Sequence, residues 1–210
     1  MKKHLTFIFL LACCLSFAAA SEDQKLKDVC AMLSEHPVTK GNFTQIKSVK
    51  TARGSRDLKS YGDFIFCPDG IMWKTTKPFP SSMIVGKDFI SQIAADGTKN
   101  VTDTSNNQTF ASVASTISAV FSNDYDNLTK AFNTSLATQA DGNIKITLLP
   151  KDSTIASVLS SIDLLVSGNG NQINGIVMTE ASENTTTYIF ENQTYPKELT
   201  KDELALFTNK

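Results

Sequence analysis

Ser60-Tyr61-Gly62-Asp63-Phe64-Ile65-Phe66-Cys67-Pro68-Asp69-Gly70-Ile71-Met72-Trp73-Lys74-Thr75 holds two apolar, aromatic and β-branched runs parted by a Pro-Asp-Gly turn. This is the composition of paired antiparallel strands. The same period of two recurs on both sides. Upstream, Asn42 to Val49 reads as a strand; downstream, Met83 to Val85 and Phe89 to Ala94 read the same way. Lys77-Pro78-Phe79-Pro80, Gly86-Lys87-Asp88 and Asp96-Gly97 punctuate them as turns, so this half of the chain is expected to be an antiparallel meander.

Further outward the period changes. Before the meander, Leu26, Val29, Cys30 and Leu33 recur at helical spacing from Ser21 to His36, with Ser21 and Gln24 as a capping box and Pro37 as a stop. After it, Phe110, Val113, Ile117, Val120 and Phe121 repeat at three and four, followed by Leu128 and Phe132, which predicts two short helices between Thr109 and Phe132. Strands then return at Asn143 to Leu149, Ser161 to Val166, Ile173 to Thr179 and Thr185 to Glu191. Gly168-Asn169-Gly170-Asn171 is a hairpin turn within that set, and Thr154 to Leu159 fits strand, helical turn or loop equally. An apolar tail with Pro196, Leu199 and Leu204 to Phe207 can dock back on the domain. The order implies an α+β fold, a large curled antiparallel sheet with helices against one face. Helices over the concave side would enclose apolar space.

The N-terminus reads as a cleavable export signal. Lys2 and Lys3 precede an apolar run from Leu5 to Leu15 and the small residues Ala18-Ala19-Ala20, so cleavage is expected after Ala20. The run is shorter than the roughly 20 residues a membrane-spanning helix needs. Leu10-Leu11-Ala12-Cys13 offers a competing lipobox, in which Cys13 would be lipidated and retained. Cleavage at Ala20 leaves residues 21–210, one domain with a formal charge of −3 (18 basic, 21 acidic), a balance that argues against nucleic acid as a partner. It also leaves only Cys30 and Cys67, which can form one disulfide or lie as two small buried hydrophobes.

Catalytic machinery is hard to find. His36 is the one histidine after the signal, so a Ser-His-Asp or Cys-His arrangement has almost nothing to be built from. No Gly-x-Ser-x-Gly elbow, P-loop, His-Glu-x-x-His or Cys/His cluster occurs, and neither cofactor nor metal is expected. Lys201-Asp202-Glu203-Leu204 spells a retention signal, but six residues follow it. Seven Asn-x-Ser/Thr sequons fit the general richness in Asn and Thr. The cationic run Lys47, Lys50, Arg53, Arg56 and Lys59 reads as a solvated hairpin connection or a docking patch.

Phe43-Thr44-Gln45 after a short helix, then Gly62-Asp63-Phe64-Ile65-Phe66 running into Pro68, Trp73, Pro78 and Ile84-Val85, make an order that resembles the LolA family. The similarity extends over the whole mature chain. It implies an incomplete antiparallel β-barrel with helices lidding an apolar cavity, and a non-enzymatic periplasmic carrier. By the same resemblance, the cavity takes acyl chains of lipoproteins from an inner-membrane lipoprotein-releasing transporter and passes them to an outer-membrane acceptor; a monomer is expected. Candidate cavity residues are Ile65, Ile71, Trp73, Met83, Val85, Phe89, Ile93, Phe110, Val113, Ile117, Phe121, Ile144, Ile146 and Leu148. A register shift of one residue would bring Phe64 and Phe66 inward instead. Cys67 stands where the family carries an arginine that hydrogen-bonds the lid, and a thiol cannot supply those donors. A diverged scaffold or sensor with the same fold and other cargo is the alternative, and an acyl-ester hydrolase a distant third.

Overall fold

The structure is a computed structural model that describes residues 22–103, 118–120 and 122–208. The expected signal and its Cys13, together with Ser21, Phe110, Val113, Ile117 and Phe121, lie outside the described residues.

Helix α1 (22–34) buries Leu26, Val29, Cys30 and Leu33, the apolar stripe read from their spacing. The expected capping box with Ser21 lies outside the described residues; the Gln24 side-chain amide donates to Asp28 at 2.8 Å. The chain then enters the meander: β1 (Thr39–Thr51), β2 (Gly54–Cys67), β3 (Gly70–Lys77), β4 (Ser81–Val85), β5 (Phe89–Ile93) and β6 (Lys99–Asp103). Helix α2 (Tyr125–Ala131) follows, with Asp124 as its N-cap accepting from the Asn127 amide. The second half is β7 (Phe132–Thr138), β8 (Ile144–Pro150), the single turn α3 (Ser153–Ala156), β9 (Leu159–Val166), β10 (Ile173–Glu180), β11 (Thr185–Thr194) and helix α4 (Lys201–Thr208).

All strand pairs are antiparallel, and the 11-stranded sheet runs β6-β5-β4-β3-β2-β1-β11-β10-β9-β8-β7. The first and last strands of the sequence-local meanders are its edges, while β1 and β11 join the two halves at the centre. The sheet is not closed into a barrel, which matches the expected half-open form. Strands β6 and β7 were not expected: β6 is polar but for Val101, and Phe132 opens β7 rather than ending a helix. The segment read three ways is resolved as the helical turn α3, capped by Asp152.

Two apolar clusters flank the sheet. The larger gathers α1 with Phe43, Phe64, Phe66, Ile71, Trp73, Val85 and Ile90 from one half, and Ile146, Leu148, Ile162, Leu164, Val166 and Ile176 from the other. The smaller holds Val38, Ile65, Cys67, Met72, Ile84, Phe89 and Phe207, with Leu199 and Leu206 against it. Because Phe64-Ile65-Phe66-Cys67 alternates between the two, they lie on opposite faces of β2. The C-terminal tail therefore does dock, but on the outside. Its helix begins with Thr200, whose N–H donates to Glu203 at 2.9 Å while the Glu203 N–H donates to Thr200 Oγ1 at 3.3 Å. The tetrapeptide that spells a retention signal is thus the first turn of a boxed helix.

Glycine matters where the sheet bends most closely on itself. Gly70 has φ +147°, and a side chain there would collide with the Val85 carbonyl across the sheet.

Candidate functional site

The face of the sheet that bears the larger cluster carries aliphatic side chains on β8–β10 and aromatic ones on β1–β3 and β11, and the apolar stripe of α1 packs into the same cluster. Met32 of α1 comes so close to Gly170 in the β9–β10 turn that a Cβ there would overlap it. The aromatic part is a connected set of rings. Phe64 lies 4.6 Å from both Phe66 and Phe190, Phe66 lies 5.6 Å from Trp73, and Tyr188 lies 5.7 Å from both Phe43 and Trp73. Strand register produces this clustering: Phe64 pairs with Trp73, Trp73 with Met83, and Phe43 with Phe190.

A cleft of about 270 Å³ opens beside these rings, toward the β3–β4 turn, lined by Phe43, Trp73, Met83, Tyr188, Gln45 and Gln92 among others. Two polar groups mark it. The Trp73 indole N–H is buried with no hydrogen-bond partner among the described residues. Burial pushes the Tyr188 phenol up to about 12, so it stays protonated across the physiological range.

Of the residues expected to line the cavity, Ile71, Trp73, Val85, Ile146 and Leu148 are buried on this face, and Met83 and Ile144 pack against them half-buried. Ile93 is 37% exposed at the end of β5, on the rim of the cleft. Ile65 and Phe89 are corrections. They point through the opposite face into the cluster under α4, while Phe64, Phe66 and Ile90 take the inner positions. Phe43, Tyr188 and Phe190 are additions to the expected cavity residues; the signal lies in their period of two, Phe43 before Thr44 and Tyr188 and Phe190 on either side of the exposed Ile189.

The expected choice for the cysteines also resolves. Cys30 and Cys67 are both buried free thiols, and the sheet stands between them, since Cys30 belongs to the inner cluster and Cys67 to the outer. Cys67 donates weakly to the Gly70 carbonyl at 3.4 Å and belongs to the outer cluster, on the side of the sheet away from the aromatic rings. The cationic run sits on the β1–β2 hairpin, where Lys47 pairs with Glu180 at 3.2 Å and Lys50 with Glu183. Among the described residues, no cluster of His, Cys, Asp or Glu could hold a metal ion, and no helix is long and apolar enough to cross a membrane.

A family model described as outer membrane lipoprotein carrier protein LolA matches residues 35–207. Comparison with proteins of curated function finds no match. Among solved structures, a Vibrio parahaemolyticus domain described as an outer membrane lipoprotein-sorting protein superposes with a TM-score of 0.52 at 11% identity, over 90% of this chain and 99% of that one. A conserved Thermus thermophilus protein of uncharacterised role superposes with a TM-score of 0.50 at 6% identity, over 84% of this chain and 90% of its own. At these identities the likeness is one of fold.

Proposed function

Because this chain belongs to the LolA family of outer membrane lipoprotein carriers, we propose that it moves acylated lipoproteins across the periplasm by holding their acyl chains on the concave face of its sheet. The observation that carries the reading is the cleft framed by Phe43, Trp73, Met83 and Tyr188, an aromatic-walled hollow with a polar margin in a fold whose family is a non-enzymatic carrier. Each methylene withdrawn from water contributes about 0.8 kcal/mol, so a chain of ordinary length is held without covalent chemistry and released when a better apolar site is offered. Ile71, Trp73, Met83, Val85, Ile144, Ile146 and Leu148 form the wall in this reading, with Phe64, Phe66 and Ile90 in the places first given to Ile65 and Phe89. An inner-membrane releasing transporter loads the protein and an outer-membrane acceptor unloads it. Residues 1–20 act as the cleaved export signal of the single domain 21–210, which works as a monomer.

The test is to purify the mature protein from its native host and extract it for mass spectrometry, and to add it to inner-membrane vesicles. Co-purified lipoprotein or acyl lipid, and release of lipoproteins into the soluble fraction, are the expected results. An empty protein that releases nothing would sink the reading.

A further inference from the structure

Resting on the carrier reading of the same cleft, we infer that it contains a polar subsite for the carbonyl of an acyl linkage, with the Trp73 N–H as its donor. Trp73 is 8% exposed and lines the cleft, yet its Nε1 makes no hydrogen bond among the described residues. Indole is a donor only, so what satisfies it must be an acceptor. Buried donors are almost always paired, and one left over in a ligand cleft marks a contact that the ligand completes. The neighbouring Tyr188 phenol, 5.7 Å away ring to ring, stays protonated and is a second donor. Gln92 offers its side-chain amide too, which among the described residues donates only a long bond of 3.8 Å to Met83 Sδ.

These groups select a chemical class. A bare hydrocarbon fills the cleft but leaves the indole N–H unpaired, whereas an acyl ester or amide brings a carbonyl oxygen at the head of the same chain. Phe43, Gln45, Trp73, Thr75, Ser81, Ser82, Met83, Gln92, Ile93, Ala94 and Tyr188 are all uncharged. With no cation among these described lining residues to pair it, a free carboxylate keeps its desolvation penalty, so the subsite favours neutral acyl linkages over free fatty acids. Lipid-modified proteins and glycerolipids present that group; free fatty acids do not.

The experiment compares 1-monododecanoylglycerol, its ether counterpart 1-O-dodecylglycerol, and dodecanoate as ligands of the mature protein. Ester and ether share chain and headgroup and differ in the carbonyl. Trp73 is the only tryptophan in the chain, so the indole N–H marker band in ultraviolet resonance Raman spectra reports on this one donor. We expect the ester to bind about tenfold more tightly than the ether, which is one well-made hydrogen bond at a buried donor, and more tightly than dodecanoate. The marker band shifts to its hydrogen-bonded position with the ester alone, and Trp73→Phe brings the ester-to-ether ratio close to one. Equal binding of ester and ether with an unmoved band overturns the subsite and leaves the carrier reading intact. Dodecanoate binding as tightly as the ester overturns the preference for neutral linkages. If none of the three binds, the carrier reading falls with it. The Raman measurement on the unaltered protein decides the matter even where Trp73→Phe fails to fold.

Discussion

The ring of Phe43 occupies the space that a side chain at Gly62 would take: a Cβ built on Gly62 would stand 2.7 Å from Phe43 Cζ and closer still to the Lys74 carbonyl. The two residues are direct cross-strand partners, so the aromatic wall of β1 lies flat against the bare backbone of β2. Gly62→Ala should therefore destabilise the protein by about 3 kcal/mol or more, at or above the upper end of ordinary overpacking, because backbone must move as well as side chain. Urea denaturation of the variant with an unchanged midpoint would contradict this contact.

Acid should loosen the C-terminal helix. The pKa of Glu203 is lowered, first because the Lys40 ammonium bonds it at 2.5 and 2.6 Å and then because Thr200 donates to it. A lowered folded pKa means that the stabilisation is complete above the ordinary glutamate value, near 4.5, and is lost as pH falls through the folded value. The pair is partly exposed, at 22% and 25% of its side-chain surface, so its contribution is about 0.5–1 kcal/mol. Glu203→Gln should be less stable than the parent at pH 7 and nearly equal to it at pH 3, in thermal melts at both pH values.

Thiol chemistry should be silent in the folded protein. Burial pushes the Cys30 thiol up to about 11 and raises that of Cys67, so neither supplies a thiolate to a disulfide reagent. Native protein should react with no equivalent of such a reagent within minutes, and with two in denaturant. Its melting temperature should be the same with and without reductant. A mass 2 Da lower for the oxidised protein would show a disulfide and refute the arrangement.

Phe207 should matter to the fold and not to the cleft. It is 6% exposed in the outer cluster with Ile65, Met72, Ile84 and Phe89, across the sheet from Trp73. Phe207→Ala should cost about 3 kcal/mol of stability. Binding of an acyl ester by the folded fraction should stay within about twofold of the parent, as expected for distant independent sites.

Where apolar residues alternate with polar ones, sequence reading located both the strand and its inward face. The run Phe64-Ile65-Phe66-Cys67 has no such alternation, because α4 covers the outer side and the inner cluster covers the other, so every residue is apolar and the pattern cannot assign a face. Ile65 is ambiguous for that reason, and the apolar pair Phe89-Ile90 of β5 splits between the two faces in the same way. Strand β6 escaped notice because an edge strand with Val101 at 40% exposure needs little hydrophobicity. In β7 the difficulty was coincidence: Leu128 and Phe132 are four apart, which looks helical, yet the helix stops at Ala131 and Phe132 faces the core from a strand. The cleft itself was illegible, since it depends on Phe43 and Tyr188 meeting Trp73 from strands far apart in the chain.

In a closed barrel, strand number and stagger fix the circumference through an unbroken ring of hydrogen bonds. Here β6 and β7 end the sheet without pairing to each other. The β1–β11 ladder fixes the two halves at the centre, while among the described residues no ladder ties their outer margins, whose spacing is left to what packs between them. A change in that spacing would be taken up at the unjoined margin, with the ladders between neighbouring strands of the interior left intact.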